Sequence, residues 1–248
     1  MSGGDAPRVL VEERGDGVRL ITMNRPDALN AFDADQYEQT TAALTDAATD
    51  DSVVVVVITG AGRAFSSGAD TQVLAGDTDD PERISKAFPE FCERLVDFPK
   101  PLIAAVNGVG VGIGMTMLLH CDMVVIADDA RLRTPFARIG VSPEAGSSVL
   151  LPATIGPQQA ARMLMVGDWV GSSEAVNLGL ALRAVPAERL LDDALELASE
   201  VAARDPHSLR ATKQLLIESR TRLLGDTIHR EIEVLSELVV RRLAADAG

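Results

Sequence analysis

The run "DSVVVVVITG", Asp51 to Gly60, constrains the fold of this chain more than any other stretch. Its aliphatic residues are continuous instead of alternating with polar ones, so a strand built from it must be buried on both faces. Such strands belong to parallel sheets covered by helices. The same texture returns in "PLIAAVNG" and "DMVVIA", with helix-like segments between. A first helix is expected to start near Asp33 and run to about Thr49, turning Tyr37, Ala42 or Ala43, and Leu44 inward. A second covers roughly Pro81 to Phe98, and "MTMLLHC" reads as a third. Upstream, "RVLVEE" and "GVRLITMN" read as two short strands joined by "RGDG", whose Asp-Gly is a hairpin signal. Strands alternating with helices predict an α/β fold.

After "VGSSEAVNLGLALRAVP" the texture changes. "AERLLDDALELASEVAAR" is amphipathic at helical spacing and is broken at Asp205–Pro206. "HSLRATKQLLIES" and "DTIHREIEVLSELVVRRL" read as two more helices, the last opened at Gly225-Asp226. The expected division is a core of residues 1–187 and a C-terminal helical region of residues 188–248. Apolar faces of that region, such as Leu235, Leu238 and Val239, need cover from the core or from neighbouring subunits.

Composition excludes some partners. A net charge of −14 repels a polyanion, and 3% aromatic residues cannot build a base-stacking platform, so no nucleic acid is expected. A small anionic ligand remains compatible, because backbone N–H groups can hold it. Cys92 and Cys121 are far apart and match no CxxC spacing, which points to a reducing, cytoplasmic compartment. The N-terminus lacks a signal-peptide pattern, and "VVVVVI" is too short to span a bilayer, so a soluble protein with no membrane partner is expected.

Two small-residue loops follow buried strands. "NGVGVGIGMTM" carries glycines at 108, 110, 112 and 114, but neither a dinucleotide nor a P-loop pattern can be read from it. Taken alone, these glycines either permit a tight turn or let backbone N–H groups approach a ligand. In "GAGRAFSSGAD", Ser66 and Ser67 lack a nucleophile elbow. His120, His207 and His229 have no paired acid or metal-binding cluster nearby in sequence, so neither a triad nor a metal site is expected. Asp70 and Asp122 read first as turn acids. Between Ala130 and Val170 the acidic residues are Glu144, in "SPEAGSS", and Asp168. By itself Glu144 reads as a solvated loop acid or a helix N-terminal charge.

In order and spacing, "NRPDALNA", "VVVVVITGAGRAFSSGAD", "KPLIAAVNGVGVGIGMTMLLHCDMVVIADDARLRTPFARIGVSPEAGSS" and "MVGDWVGSSEAVNLGLALRAVP" resemble the enoyl-CoA hydratase/isomerase (crotonase) superfamily. The resemblance covers about residues 8 to 190. It implies an α/β, crotonase-like spiral of ββα units with a C-terminal helical trimerisation region, and hence a homotrimer or a dimer of trimers. It implies an acyl-CoA thioester substrate, with coenzyme A entering as part of the substrate and no separate cofactor. The family's oxyanion-hole N–H groups map to Ala69 and Ile113, the second at a helix start whose dipole would add to the hydrogen bond. Substrate and CoA contacts map to Arg25, Ala28, Leu29, Ala31, Gly68, Asp70, Gly112, Thr116 and Phe136.

Thr116 and Phe136 stand where family hydratases carry their two glutamates, and neither can activate water at neutral pH. Glu144 stands where a branch resembling the Δ3,Δ2-enoyl-CoA isomerases carries a single glutamate. That branch implies a double-bond shift from 3-enoyl-CoA to 2-enoyl-CoA in fatty-acid oxidation, with Glu144 as sole acid/base. An apolar surround such as Phe136, Ile139 and Val141 would raise its pKa. The alternatives are an enoyl-CoA hydratase or another crotonase-type lyase, and a non-catalytic acyl-CoA-binding homologue.

Overall fold

The computed structural model describes residues 7–75 and 81–246. The chain starts with a hairpin, β1 (Val9–Glu13) and β2 (Val18–Met23), with Val9 opposite Met23. Its turn takes positive φ at Gly15, Asp16 and Gly17, the conformation that the Asp-Gly signal anticipates. Then come α1 (Ala34–Thr49), β3 (Val55–Gly60), β4 (Ala64–Ser66), α2 (Thr71–Ala75) and α3 (Pro81–Asp97). β5 (Leu102–Val106), β6 (Val109–Val111), α4 (Ile113–Thr116), β7 (Met123–Ala127) and β8 (Arg131–Arg133) follow. The last part holds α5 (Ser147–Ile155), α6 (Pro157–Ala161), β9 (Val170–Gly171), α7 (Ser172–Leu178), β10 (Arg183–Val185), α8 (Leu190–Ala202), α9 (Pro206–Leu224) and α10 (Thr227–Asp246).

The main sheet has the order β1-β2-β3-β5-β7-β10 and is parallel from β2 onward. Every residue of β3 and β5 is buried, as continuous aliphatic runs require. A second sheet, β4-β6-β8-β9, was not expected from the sequence. Its strands are two or three residues long, too short to show a period. Each of β3, β5 and β7 is followed by one of these short strands and then by helix, which gives the spiral of ββα units.

Helix α1 begins where the pattern places it, with Asp33 accepting a hydrogen bond from the Gln36 N–H at 2.8 Å. Its Tyr37, Ala43 and Leu44 are buried. Scarce aromatics are concentrated where α1 meets α3: Phe32, Tyr37, Phe88 and Phe91 pack with ring centroids 4.7 to 5.7 Å apart. The helices after Ala187 divide their work. Helix α8 crosses β2, β3, β5 and β7 and buries Leu190, Ala194, Leu197 and Ala198 in the same core as the sheet. Helix α9 packs on α3 and α5, where Val96, Leu150 and Leu224 form a small separate cluster. Leu235, Leu238 and Val239 of α10 are half-buried in the single chain.

The segment after the glycine loop departs from expectation. It is one α-helical turn, α4, which tightens into a 3-10 turn over Met117–His120. A four-residue helix has almost no macrodipole, so the Ile113 N–H acts as a local donor and not as the end of a long dipole. Among the described residues no helix is long and apolar enough to cross a membrane.

Candidate active site

Because β3 and β5 are parallel neighbours, the loops that follow them leave the sheet on the same side. The short strands keep these loops together, with β4 pairing β6 through Ala64–Val109 and Ser66–Gly110. The closest approach is at two glycines. Gly68 has φ +92°, and a Cβ there would sit 2.7 Å from the Val111 carbonyl oxygen. Gly112 has φ +54°, and a Cβ there would face the Gly68 Cα at 3.9 Å. A side chain at Gly68 would force the loops apart, whereas at Gly112 there is room for a Cβ and it is the left-handed backbone that favours glycine.

The residues that follow these glycines are Ala69 and Ile113. Around Ala69 the chain bridges to Phe32: the Phe32 N–H donates to Gly68 O at 2.8 Å, and the Asp70 N–H donates to Phe32 O at 2.9 Å. The Ala69 N–H is left out of this exchange. Ile113 opens α4, where a first-turn N–H has no intrahelical acceptor. Neither N–H has a hydrogen-bond partner among the described residues. Two adjacent loops thus offer two unused main-chain donors.

The segment 25–32 lies against the first of these loops. The Ser67 N–H donates to Leu29 O at 2.9 Å, and the Ser66 hydroxyl donates to Asn30 O at 2.9 Å. Leu29 and Asn30 both take left-handed conformations, φ +53° and +54°. Fully buried Asn30 stabilises the bend, accepting from the Arg25 N–H at 2.8 Å and donating to Ala61 O at 2.9 Å and Ala64 O at 2.8 Å. Arg25 is held in place through an ion pair with Asp70, another with Asp33 at 3.5 Å, and a hydrogen bond to Ala31 O at 3.3 Å. Asp70 also caps the Gln72 N–H at 3.0 Å. The fold therefore gathers Arg25, Ala28, Leu29, Ala31, Gly68 and Asp70 along one edge. Asn30, which the sequence reading passed over, is the residue that shapes it.

Glu144 is no solvated loop acid, since it is only 6% exposed. Thr116, at the end of α4, donates its hydroxyl hydrogen to Glu144 Oε1 at 2.6 Å. The same hydroxyl lies 3.2 Å from Gly112 O, and its single hydrogen favours the shorter, carboxylate partner. Oε2 is buried with no hydrogen-bond partner among the described residues. Burial pushes the Glu144 pKa up to about 8; the Thr116 hydrogen bond pulls it down, and the nearby charge of Glu231 pushes it up. Tyr37 and Cys92, which feel the charge of Glu144, are driven well above their ordinary pKa values, chiefly by burial.

The backbone carrying Glu144 is a tight turn with left-handed φ at Ala145 (+53°) and Gly146 (+75°), closed by the Ser147 N–H donating to Glu144 O at 3.0 Å. His120, wholly buried, has its pKa lowered to about 4 chiefly by desolvation, so it is a neutral imidazole. Its Nε2–H donates to Ala145 O at 2.8 Å. From α10, Glu231 accepts from the N–H groups of Gly146 at 2.6 Å and Ser148 at 2.9 Å. Phe136 is buried at the start of a 3-10 turn, Phe136–Ile139, and offers no group for proton transfer. Asp122 serves structure, accepting from the Leu102 N–H at 2.8 Å and from Lys213 Nζ at 2.6 Å. No group of three or more His, Cys, Asp or Glu among the described residues could hold a metal ion.

Paired strands feeding two abutting loops, with a carboxylate buried below a tight turn, define an enzyme of the crotonase fold. Residues 13–242 match the family described as enoyl-CoA hydratase/isomerase, and the chain belongs to that family. It is 38% identical over 211 residues to 2,3-dehydroadipyl-CoA hydratase of Escherichia coli K12, covering 85% of this chain and 82% of that one. It is 37% identical to enoyl-CoA delta isomerase 2 of Rattus norvegicus over 84% of this chain and 54% of the rat protein, so it spans about half the length of that relative. Among solved structures, an enoyl-CoA hydratase/isomerase from Pseudoalteromonas atlantica T6c superimposes with a TM-score of 0.87 at 30% identity, over 94% of this chain and 91% of that one.

Proposed function

We propose that the protein converts a 3-enoyl-CoA into a 2-enoyl-CoA, with Glu144 as the single acid/base and the N–H groups of Ala69 and Ile113 as the oxyanion hole. One observation carries the reading. Glu144 is a buried carboxylate with Oε1 held by Thr116 and Oε2 without a hydrogen-bond partner among the described residues, and so open to a proton. Ionised Glu144 takes a proton from C2 on Oε2, and the C2–H electron pair moves into a dienolate. Negative charge collects on the thioester oxygen, where the two N–H donors meet it. The same carboxyl then delivers the proton to C4, and the double bond ends between C2 and C3. One C–H bond breaks and one forms, so no water and no second catalytic group are needed. A pKa near 8 makes Oε2 a stronger base toward a carbon acid than an ordinary glutamate. Coenzyme A enters as part of the substrate, along the edge formed by residues 25–31, and no separate cofactor is called for. A trimer-based assembly goes with this reading.

Water addition is the second reading, favoured by the name of the Escherichia coli relative. It asks for an acid and a base on either side of a water, and the two positions that resemble hydratase glutamates hold Thr116 and Phe136. Incubation with 3-enoyl-CoA and 2-enoyl-CoA separates the two. Isomerisation moves ultraviolet absorbance at constant mass, whereas hydration of 2-enoyl-CoA adds the mass of one water. Binding of acyl-CoA with neither product, and with no exchange of the C2 hydrogen against deuterium, would mark a non-catalytic homologue.

A further inference from the structure

Helix α10 has an unusual attachment to the rest of the chain. Among its described side chains, the buried ones are Thr227 and Glu231, and no apolar side chain of α10 reaches the same burial. Burying a carboxylate carries a desolvation penalty that a leucine would avoid, so the position answers to something other than packing. What Glu231 meets there is the turn of Glu144. Its Oε2 accepts from the Gly146 N–H at 2.6 Å and its Oε1 from the Ser148 N–H at 2.9 Å, across 85 and 83 residues of chain. These two donors lie where the left-handed turn becomes α5, whose N-cap, Gly146, supplies no side-chain acceptor. Leu224 of α9 packs directly over Gly146, where an added Cβ would collide with it.

We propose that Glu231 is a positioning residue: from the last helix it grips the Gly146 and Ser148 amides and fixes the turn on which Glu144 stands. This rests on the reading of Glu144 as the base. The turn has two other anchors, both from the segment after the glycine loop: Thr116 on the Glu144 side chain and His120 on the Ala145 carbonyl. Glu231 supplies the third and brings a charge. The titratable groups facing Glu144 from the other elements are Tyr37 on α1, Cys92 on α3 and His120 after α4, all held neutral by burial. Arg220 and Lys213 of α9 turn to the His120 carbonyl and to Asp122. Glu231 is therefore the charge that opposes ionisation of Glu144. Docking of the C-terminal helix and the basicity of the carboxyl are joined in one side chain.

The test uses the full-length protein and Glu231→Gln. The glutamine keeps one acceptor but turns an NH2 group toward the second amide, and it removes the charge. At saturating substrate on the high-pH plateau, kcat is expected to fall at least about 10-fold with KM within about 3-fold, because misplaced catalytic groups lose rate more than binding. The acidic limb of kcat/KM is expected to move to lower pH. A residue that merely held the helix would lower activity without moving the limb, so an unmoved limb in a folded variant, where Glu144→Gln has abolished activity, overturns the proposal. Two measurements do not depend on catalysis. A 13C carboxyl titration, with the Glu144 signal assigned by its loss in Glu144→Gln, should show a lower Glu144 pKa in Glu231→Gln; an unchanged value overturns the proposal even if Glu144 proves not to be the base. In the unmutated protein the Gly146 and Ser148 amides should exchange slowly with deuterium, and rapid exchange would show that the grip does not exist in solution. If Glu144→Gln keeps full isomerase activity while the titration moves as expected, the function reading fails and the Glu231 contact stands.

Discussion

The Thr116 hydroxyl and the Glu144 carboxylate meet at 2.6 Å across 28 residues of chain, joining the end of α4 to the turn before α5. The contact decides which oxygen of Glu144 is chemically available. With Oε1 engaged, Oε2 is the one left to move a proton. Thr116 therefore does more than mark the absence of a carboxylate: it orients the carboxylate that is present.

Thr116→Val keeps the shape and removes the donor. A hydrogen bond to a charged acceptor is worth about 1.5–3 kcal/mol, so losing it should raise the Glu144 pKa by about one unit or more. The acidic limb of kcat/KM is expected to move to higher pH, opposite to the effect of Glu231→Gln, and kcat should drop about 10-fold. Thr116→Ser, which keeps the hydroxyl, should restore both. A valine variant with the parent pH profile would mean that the contact is not made in the working enzyme.

Gly68→Ala tests the abutting loops. The added methyl would lie 2.7 Å from Val111 O, a backbone atom that cannot swing away, and φ +92° disfavours any L side chain. The loops should separate by a few tenths of an ångström or more and carry the Ala69 and Ile113 donors apart. With circular dichroism unchanged, kcat is expected to fall about 10²-fold, the scale of losing one oxyanion donor. A folded variant with unchanged kcat would remove these two amides from the mechanism.

Much of the main sheet was legible, because long aliphatic runs such as Val53 to Ile58 leave few alternatives to a doubly buried strand. The start of α1 was legible from a local cause, the Asp33 cap. The second sheet was not, since two- and three-residue strands such as Val170–Gly171 exist through pairing between loops and carry no period. The amphipathic pattern of α8 announced a helix but not the sheet surface that it covers. In the site, Glu144 was conspicuous through isolation in an apolar stretch but read by itself as a loop acid, and the glycine loops by themselves left their role open; the roles of Glu144, Ala69 and Ile113 came from the family resemblance. Glu231 was invisible: in "HREIEVLSEL" it looks like one more acid on a solvated face, and only the fold brings it to Gly146. Asn30 was hidden for a similar reason, because its partners Ala61 and Ala64 are distant in sequence.

The proposed trimer-based assembly would cover apolar side chains that a single chain leaves exposed. Met165, Val166 and Trp169 are exposed within five residues of sequence, with the guanidinium carbons of Arg131 and Arg133 at 4.5 and 5.2 Å from the Trp169 ring. Val234 and Val240 of α10 and Leu215, Leu216 and Leu223 of α9 are exposed as well. Sedimentation is expected to give three or six times the 26.2 kDa chain mass. A stable monomer at micromolar concentration would remove the trimer from the account.

The last prediction concerns stability, with a sign opposite to that of most native carboxylates. Unfolded, the Glu144 carboxyl titrates near 4.5; folded, near 8. Between those values the folded chain holds a proton that the unfolded chain has lost, so stability falls as pH rises. The contribution is fully present below 4.5 and is lost as pH climbs through 8. His120 works on the acid side: its folded pKa of about 4 lies below the ordinary 6.5, so its contribution is lost as pH falls from 6.5 through 4. The two slopes oppose each other between about 4.5 and 6.5, and above 6.5 Glu144 acts without His120. Glu144→Gln has no proton to lose. In urea unfolding at one protein concentration, the variant should gain on the parent between pH 6.5 and 8, at up to about 1.4 kcal/mol per pH unit. A difference that stays constant across that window would mean that Glu144 is already ionised at pH 6.5, and the burial-driven basicity on which the proton shuttle depends would be absent.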